Sequence, residues 1–149
     1  MDLASGGGRH ARYLRGLGLR VVAVDRDTSR LADLVGDPEV ERIEADLEGE
    51  AWPLEGRQFS AVVVTNYLYR PRLASLVDLI VPNGLLIYET FAEGHERVGR
   101  PRNPDYLLRP GELLDVFSPA LSIIAHEHGI EEQPRPAVRQ RICGRKRSL

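Results

Sequence analysis

The sequence predicts an α/β domain built on a mostly parallel sheet with helices on both faces, and three observations carry that prediction. Strand-length apolar runs alternate with helix-spaced segments from the N-terminus as far as Thr90. A glycine cluster, Gly6-Gly7-Gly8, sits at the first strand-to-helix turn. The last two strand-like runs have no helix between them, so they are expected to pair antiparallel at one edge of the sheet. A chain of 149 residues, 42% hydrophobic and 28% charged, suits one domain over residues 1–149 and leaves no length for a second core.

Met1 to Ala4 reads as the end of a strand with nothing in front of it, so the first strand is expected to be incomplete. Arg9 to Leu17 places Ala11, Leu14 and Leu17 at helical spacing, and Gly16 and Gly18 supply the stop. Leu19 to Asp25 (LRVVAVD) is a β-branched strand ending on an acid. A second helix, capped by Asp27, Thr28 or Ser29, runs through Leu31, Leu34 and Val35 to Gly36. Val40 to Asp46 is a weaker strand with another terminal acid, and Glu48 to Gln58 is a loop.

Phe59 to Asn66 (FSAVVVTN) is the clearest buried strand. Pro71 opens a helix whose face is Leu73, Leu76, Val77 and Ile80. Pro82-Asn83-Gly84 marks a turn, and Leu85 to Thr90 is the next strand. Phe91 to Arg109 is too long and polar for an ordinary connection and reads as a lid or substrate loop. Pro110 to Phe117 forms a short helix, and Leu121 to His128 and Val138 to Cys143 are the final two strands.

Composition narrows the function. A net charge of −2 does not point to nucleic acid, and the basic C-terminal cluster from Arg139 to Arg147 reads as a solvated end. Cys143 is the single cysteine, and with four scattered histidines it offers neither an internal disulfide nor a zinc spacing, so no metal is expected. No apolar run reaches membrane-span length, and no basic-then-apolar leader is present. A cytoplasmic protein, monomeric or homodimeric, is the expectation.

The chemistry concentrates in DLASGGG. Glycines at a first strand-to-helix turn let a ligand approach the backbone, and the helix N-terminus behind them favours a negative group. Asp25, ending the next strand, is placed to accept hydrogen bonds from ribose hydroxyls. Together these indicate an adenosine-containing cofactor. Gly6-Gly7-Gly8-Arg9-His10-Ala11 satisfies G-x-G-x-x-A formally, which keeps an NAD(P)-dependent oxidoreductase open. Asp2, four residues before Gly6, instead favours a cofactor with an ammonium, as in S-adenosyl-L-methionine.

The segments DLASGGGRHARYL, FSAVVVTNYLYR and above all YETFAEGHERVGRPRNPDYLLRPGELL, with Asp25, resemble class I S-adenosylmethionine-dependent methyltransferases of the tellurite-resistance-methyltransferase-like group. The resemblance runs from Asp2 to about Arg141. It implies a Rossmann-like sheet in the order 3-2-1-4-5-7-6 with strand 7 antiparallel, a bound S-adenosyl-L-methionine and a small-molecule methyl acceptor. The sequence departs from the group in lacking a full apolar first strand and in carrying Ser5, Ser60 and Tyr69 where Cys, Asp and His are usual. A truncated, non-catalytic cofactor-binding homologue is therefore a further alternative.

Carried over residue by residue, the resemblance implies that Asp2, Ala4, Ser5, Gly6 and Gly8 hold the methionine end and that Asp25 and Arg26 flank the ribose. Asp46 and Leu47 would meet the adenine. Thr65, Asn66 and Tyr67 would border the sulfonium and the acceptor. His95, Glu89 or Tyr69 is a candidate general base, and Arg100 or Arg109 a candidate clamp for an anionic acceptor. Tyr67, His95 and Arg109 are the catalytic candidates. Plainer readings stand beside these: Asp25 as a helix cap, Asp46 as a surface acid, His10 and His95 as exposed polar groups, Arg109 as a helix-entry residue, and Trp52 as either an adenine cover or the seal of a core edge.

Overall fold

A computed structural model describes residues 1–148 and places seven strands in one sheet, in the order β3-β2-β1-β4-β5-β7-β6. The strands are β1 (Asp2–Leu3), β2 (Val21–Asp25), β3 (Val40–Glu44), β4 (Phe59–Thr65), β5 (Ile80–Phe91), β6 (Leu121–Glu131) and β7 (Ala137–Lys146). Strands β1 to β5 pair in parallel, and β7 runs antiparallel to both β5 and β6. Chain order reverses on either side of β1, which puts the topological switch point between β1 and β4. In open α/β sheets ligands bind at that point, beyond the carboxyl ends of the strands.

β1 has two residues, yet it pairs with β2 through Ala23 and Val24 and with β4 through Val63 and Val64. Away from the glycine turn, β2 and β4 continue past it. A cleft of about 300 Å³ opens there beside Met1, Val21, Val22, Phe59 and Ser60. Met1 lines this cleft, and its ammonium donates to the Ala61 carbonyl at 2.7 Å and has its pKa lowered by burial.

The core divides between the two faces. Leu3, Val24, Val62, Val64, Leu86 and Tyr88 meet the helical segments following β4 and β5. Ala11, Val21, Ala23, Leu31 and Leu34 form a smaller cluster on the opposite face, under α1 (Arg9–Gly16). Burying each Leu or Val stabilises the fold by about 1.5–3 kcal/mol.

Several helices differ from expectation. The second is a six-residue 3-10 helix, Ser29–Leu34. Thr28 stands at its N-cap, as expected, but makes no side-chain capping bond, because its hydroxyl donates to Glu44 at 3.0 Å. α2 (Arg70–Leu73) has one turn and passes into a 3-10 helix over Ala74–Leu79. Side chains three apart then stack on one face, so Leu73, Leu76 and Leu79 are buried. Ile80 belongs to β5 and pairs with Phe59. Ala61 pairs with Leu85, so the Pro82-Asn83-Gly84 turn bulges out of β5 instead of preceding it.

The Phe91 to Arg109 stretch is fastened to the fold. Two 3-10 turns, His95–Arg97 and Pro104–Tyr106, and a parallel bridge between Ala92 and Leu108 organise it. Arg70 reaches across to donate to the carbonyls of Pro104, Asp105 and Leu107 and to both carboxylate oxygens of Glu112, at 2.7 to 3.3 Å. Glu112 opens α3 (Glu112–Phe117), which packs Leu113 and Phe117 into the core. Buried Gln140 of β7 ties the same junction by accepting from Leu113 N–H and donating to the Arg109 carbonyl.

Candidate functional site

Two connected clefts, of about 490 and 330 Å³, open at the carboxyl ends of the strands and share Ala4, Asp25, Asn66 and Tyr67 as lining residues. Such volumes accommodate a cofactor or metabolite of ordinary size. Ala4 and Asn66 follow β1 and β4 across the switch point, and both adopt left-handed backbone (φ +55° and +56°). That conformation is uncommon for residues with a Cβ and concentrates at functional sites. The neighbouring strands hold it in place: Ser5 N–H donates to the Val24 carbonyl, and Asn66 N–H donates to the Glu89 carbonyl.

The glycine turn is tight for two separate reasons. Gly8 combines a φ of +80° with a position where a Cβ would lie 2.1 Å from Leu31 Cδ2. Gly6, at φ +51°, has nothing within 4 Å of that point and leaves the cleft floor open. Asp25 accepts the Gly6 N–H at 2.8 Å and the Asp27 N–H at 3.1 Å, which orients its carboxylate at the cleft wall. A carboxylate has about four lone-pair sites, so acceptor capacity remains for a ligand.

Asp2 is 2% exposed and accepts the N–H of Ala11 at 2.9 Å, one of the donors that a helix N-terminus leaves free. Burial raises its pKa. Ser5 Oγ, at the same turn, is buried without any partner. An orphaned hydroxyl beside an acid and an open glycine floor is the pattern expected where a polar ligand completes the hydrogen bonding. The residues present thus fit an adenosine cofactor with a charged amino-acid end.

The site residues expected from sequence gather with few exceptions. Asp2, Ala4, Ser5, Gly6, Asp25, Thr65, Asn66 and Tyr67 line the smaller cleft or both clefts, and Arg26, Asp46 and Leu47 line the larger. Gly8 lines neither; it packs beneath the turn against Leu31 and Arg12.

His95 is withdrawn from the site. It is 3% exposed, accepts the Val138 N–H at Nδ1 and meets the Arg100 carbonyl at 2.9 Å through Nε2, which fixes its tautomer and leaves no ring nitrogen for a substrate. Arg109 lines neither cleft. Its backbone N–H and guanidinium both face Glu112, and its carbonyl accepts from Gln140, which makes it a helix-entry residue. Trp52 lies elsewhere, half-buried with Arg72 over its ring at 4.7 Å.

Ala45, Glu48, Leu68 and Thr90, which sequence reasoning missed, and Phe91, Pro101 and Tyr106 of the expected lid or substrate loop complete the larger cleft. Phe91 is held between neighbours, with His95 stacked at 4.2 Å and the Arg139 guanidinium at 4.3 Å from its ring centre. Arg139 also donates to Asn66 Oδ1 at 2.7 Å and to Glu89 at 3.0 Å. Tyr67 is half-buried, and burial followed by the charges of Glu48 and Asp46 raises its pKa far above the usual phenol range. The Tyr88 hydroxyl donates to the Tyr67 carbonyl and fixes the chain leaving β4.

No family model and no curated protein matches the chain. Solved structures do. The 1,6-didemethyltoxoflavin-N1-methyltransferase of Burkholderia thailandensis, determined with 1,6-didemethyltoxoflavin and S-adenosylhomocysteine bound, superposes with a TM-score of 0.76 at 18% identity, over 99% of this chain and 70% of its own. TehB from Haemophilus influenzae gives 0.77 at 17% identity, over 98% of this chain and 57% of TehB. The N-methyltransferase NodS from Bradyrhizobium japonicum WM9 gives 0.73 at 14%, over 99% and 84%.

This is the class I methyltransferase fold. The strand order with antiparallel β7 and the match to S-adenosylmethionine-dependent methyltransferases, TehB among them, extend over nearly the whole chain. Among the described residues, no helix of this methyltransferase-like fold is long and apolar enough to cross a membrane.

Proposed function

We propose that the chain binds S-adenosyl-L-methionine and catalyses methyl transfer to a small-molecule acceptor by in-line displacement. One observation carries the reading: Asp2 and Asp25, the acids of β1 and β2, flank one glycine turn and open into one connected cleft. A carboxylate at Asp2 suits a cofactor ammonium and is unsuited to the pyrophosphate of a dinucleotide, which separates this reading from an oxidoreductase. Ser5 Oγ and Gly6 would hold the amino-acid end, Asp25 the ribose, and Asp46 with Leu47 the adenine.

When bound, the cofactor supplies a methyl group already attached to a sulfonium leaving group. The chain's own work is then positioning and exclusion of water. The left-handed turn at Asn66 sets Tyr67 beside the junction of the two clefts. Its phenol stays protonated at neutral pH, so it donates a hydrogen bond and does not act as a base.

Isothermal calorimetry with S-adenosylhomocysteine tests the reading. A one-site isotherm abolished by Asp2→Ala supports it, and a flat isotherm with folded protein overturns it.

A further inference from the structure

The two ends of the larger cleft differ in charge. Its charged lining residues, Asp25, Arg26, Asp46 and Glu48, all end or follow β2 or β3. The other end is formed by Asn66 and Tyr67 after β4, Thr90 and Phe91 at the end of β5, and Pro101 and Tyr106 in the fastened loop, and none of these is charged. The proposed function assigns the first end to adenosine, which leaves the second for the acceptor.

Arg26 lines the cleft among the acids of its first end, Arg100 lines neither cleft, and three further guanidinium groups around the second end are occupied. Arg139, 16% exposed, is shared among Glu89, Glu131 and Asn66. Arg70 is saturated by Glu112 and three carbonyls. Arg109 faces Glu112 outside the cleft. An oxyanion entering here would lose water, find no cation in the lining of this end and face Asp46 and Glu48, whose charges already act on Tyr67, which is a costly transfer.

The groups that remain are aromatic faces and edges and neutral hydrogen-bonding groups. Tyr67 and Tyr106 supply rings, and Phe91, whose faces are taken by His95 and Arg139, supplies an edge. With Asn66 Oδ1 taken by Arg139, its amide nitrogen is left to donate, beside the hydroxyls of Tyr67 and Thr90. Rings prefer offset or edge-on aromatic partners, and the donors require a ligand carrying neutral acceptor atoms.

Resting on the assignment of the adenosine end, we infer that the β4–β5 end of the cleft takes an uncharged, flat nitrogen heteroaromatic acceptor and excludes oxyanions.

The test is calorimetry and amide chemical-shift mapping with quinoline, quinoxaline, the anionic analogue quinaldate, and selenite, each with and without saturating S-adenosylhomocysteine. The neutral rings are expected to bind about tenfold or more tightly than quinaldate, with selenite silent and shifts at Asn66, Tyr67, Phe91 and Tyr106. Phe91→Ala should weaken quinoline about tenfold. Tyr106→Ala, at a half-exposed side chain whose loss spares the core, should weaken it several-fold. Quinaldate or selenite binding as tightly as the neutral rings, no binding by either ring, or quinoline affinity unchanged in Tyr106→Ala would overturn the inference. A flat S-adenosylhomocysteine isotherm would instead sink the cofactor reading, while the ratio of neutral to anionic ligand still judges this one.

Discussion

The cleft joins two halves of different construction. The β1–β3 half is charged and built from short backbone devices: a glycine turn, two buried or half-buried acids at strand ends, and a helix start that feeds an N–H to Asp2. The β4–β5 half is neutral and aromatic, and its shape depends on side chains reaching from far away in sequence, Arg70 to the loop and Arg139 to Asn66. A ligand with fixed chemistry can be met by local backbone geometry. A pocket whose ligand varies between relatives of one fold is set by tertiary contacts, which substitutions can alter without disturbing the sheet.

The largest expected effect comes from breaking the first half at its tightest point. Gly8→Ala forces a Cβ against Leu31 and requires left-handed backbone of a non-glycine residue, so denaturant titration should show a loss of about 3 kcal/mol together with loss of S-adenosylhomocysteine binding. Asp25→Asn keeps the turn and removes the charge. It should weaken S-adenosylhomocysteine about tenfold by calorimetry while leaving the melting temperature within a few degrees of the parent.

The second half has a pH signature. Burial alone pushes Glu112 upward, but hydrogen bonds from Arg70 and from the Arg109 N–H outweigh it and hold its folded pKa below the ordinary 4.5. The pair's contribution is complete above the unfolded value and fades as pH falls through the folded one. Melting temperatures measured at decreasing pH should drop through that window in the parent, and Glu112→Gln should flatten the drop.

The smallest effect is expected at Tyr67. Tyr67→Phe removes a donor without changing the pH dependence of S-adenosylhomocysteine affinity between about pH 7 and 9, because the phenol is protonated throughout. An inflection in that range that disappears in the variant would show that the phenol titrates there.

The same division decides what could be read from the sequence. The strand order, the antiparallel β7 and the residues around Gly6 and Asp25 were legible, because apolar periodicity and turn glycines are local signals, and the family resemblance joined them. The second and third helices were misjudged because six-residue segments, one stopping at Leu34 and one flowing into β5, settle as 3-10 turns, where burial at every third residue replaces the α spacing. Phe91, Pro101 and Tyr106 were legible only as members of an expected lid or substrate loop, and which of its side chains face the cleft was not, because nothing near them in the chain says where Arg70 will pull that loop. His95 looked reactive by residue type, and its role emerges only from the Val138 N–H, 43 positions away.

Arg70 has a consequence for timing. One guanidinium holding three loop carbonyls and a carboxylate makes Phe91 to Arg109 a standing wall, not a gate that swings. The ordering cost of that wall is met during folding, so a ligand entering the cleft has nothing to wait for. Stopped-flow traces should then show a single phase whose rate rises linearly with ligand concentration, and Arg70→Met should add a slow, concentration-independent phase as the loop must assemble around each visitor.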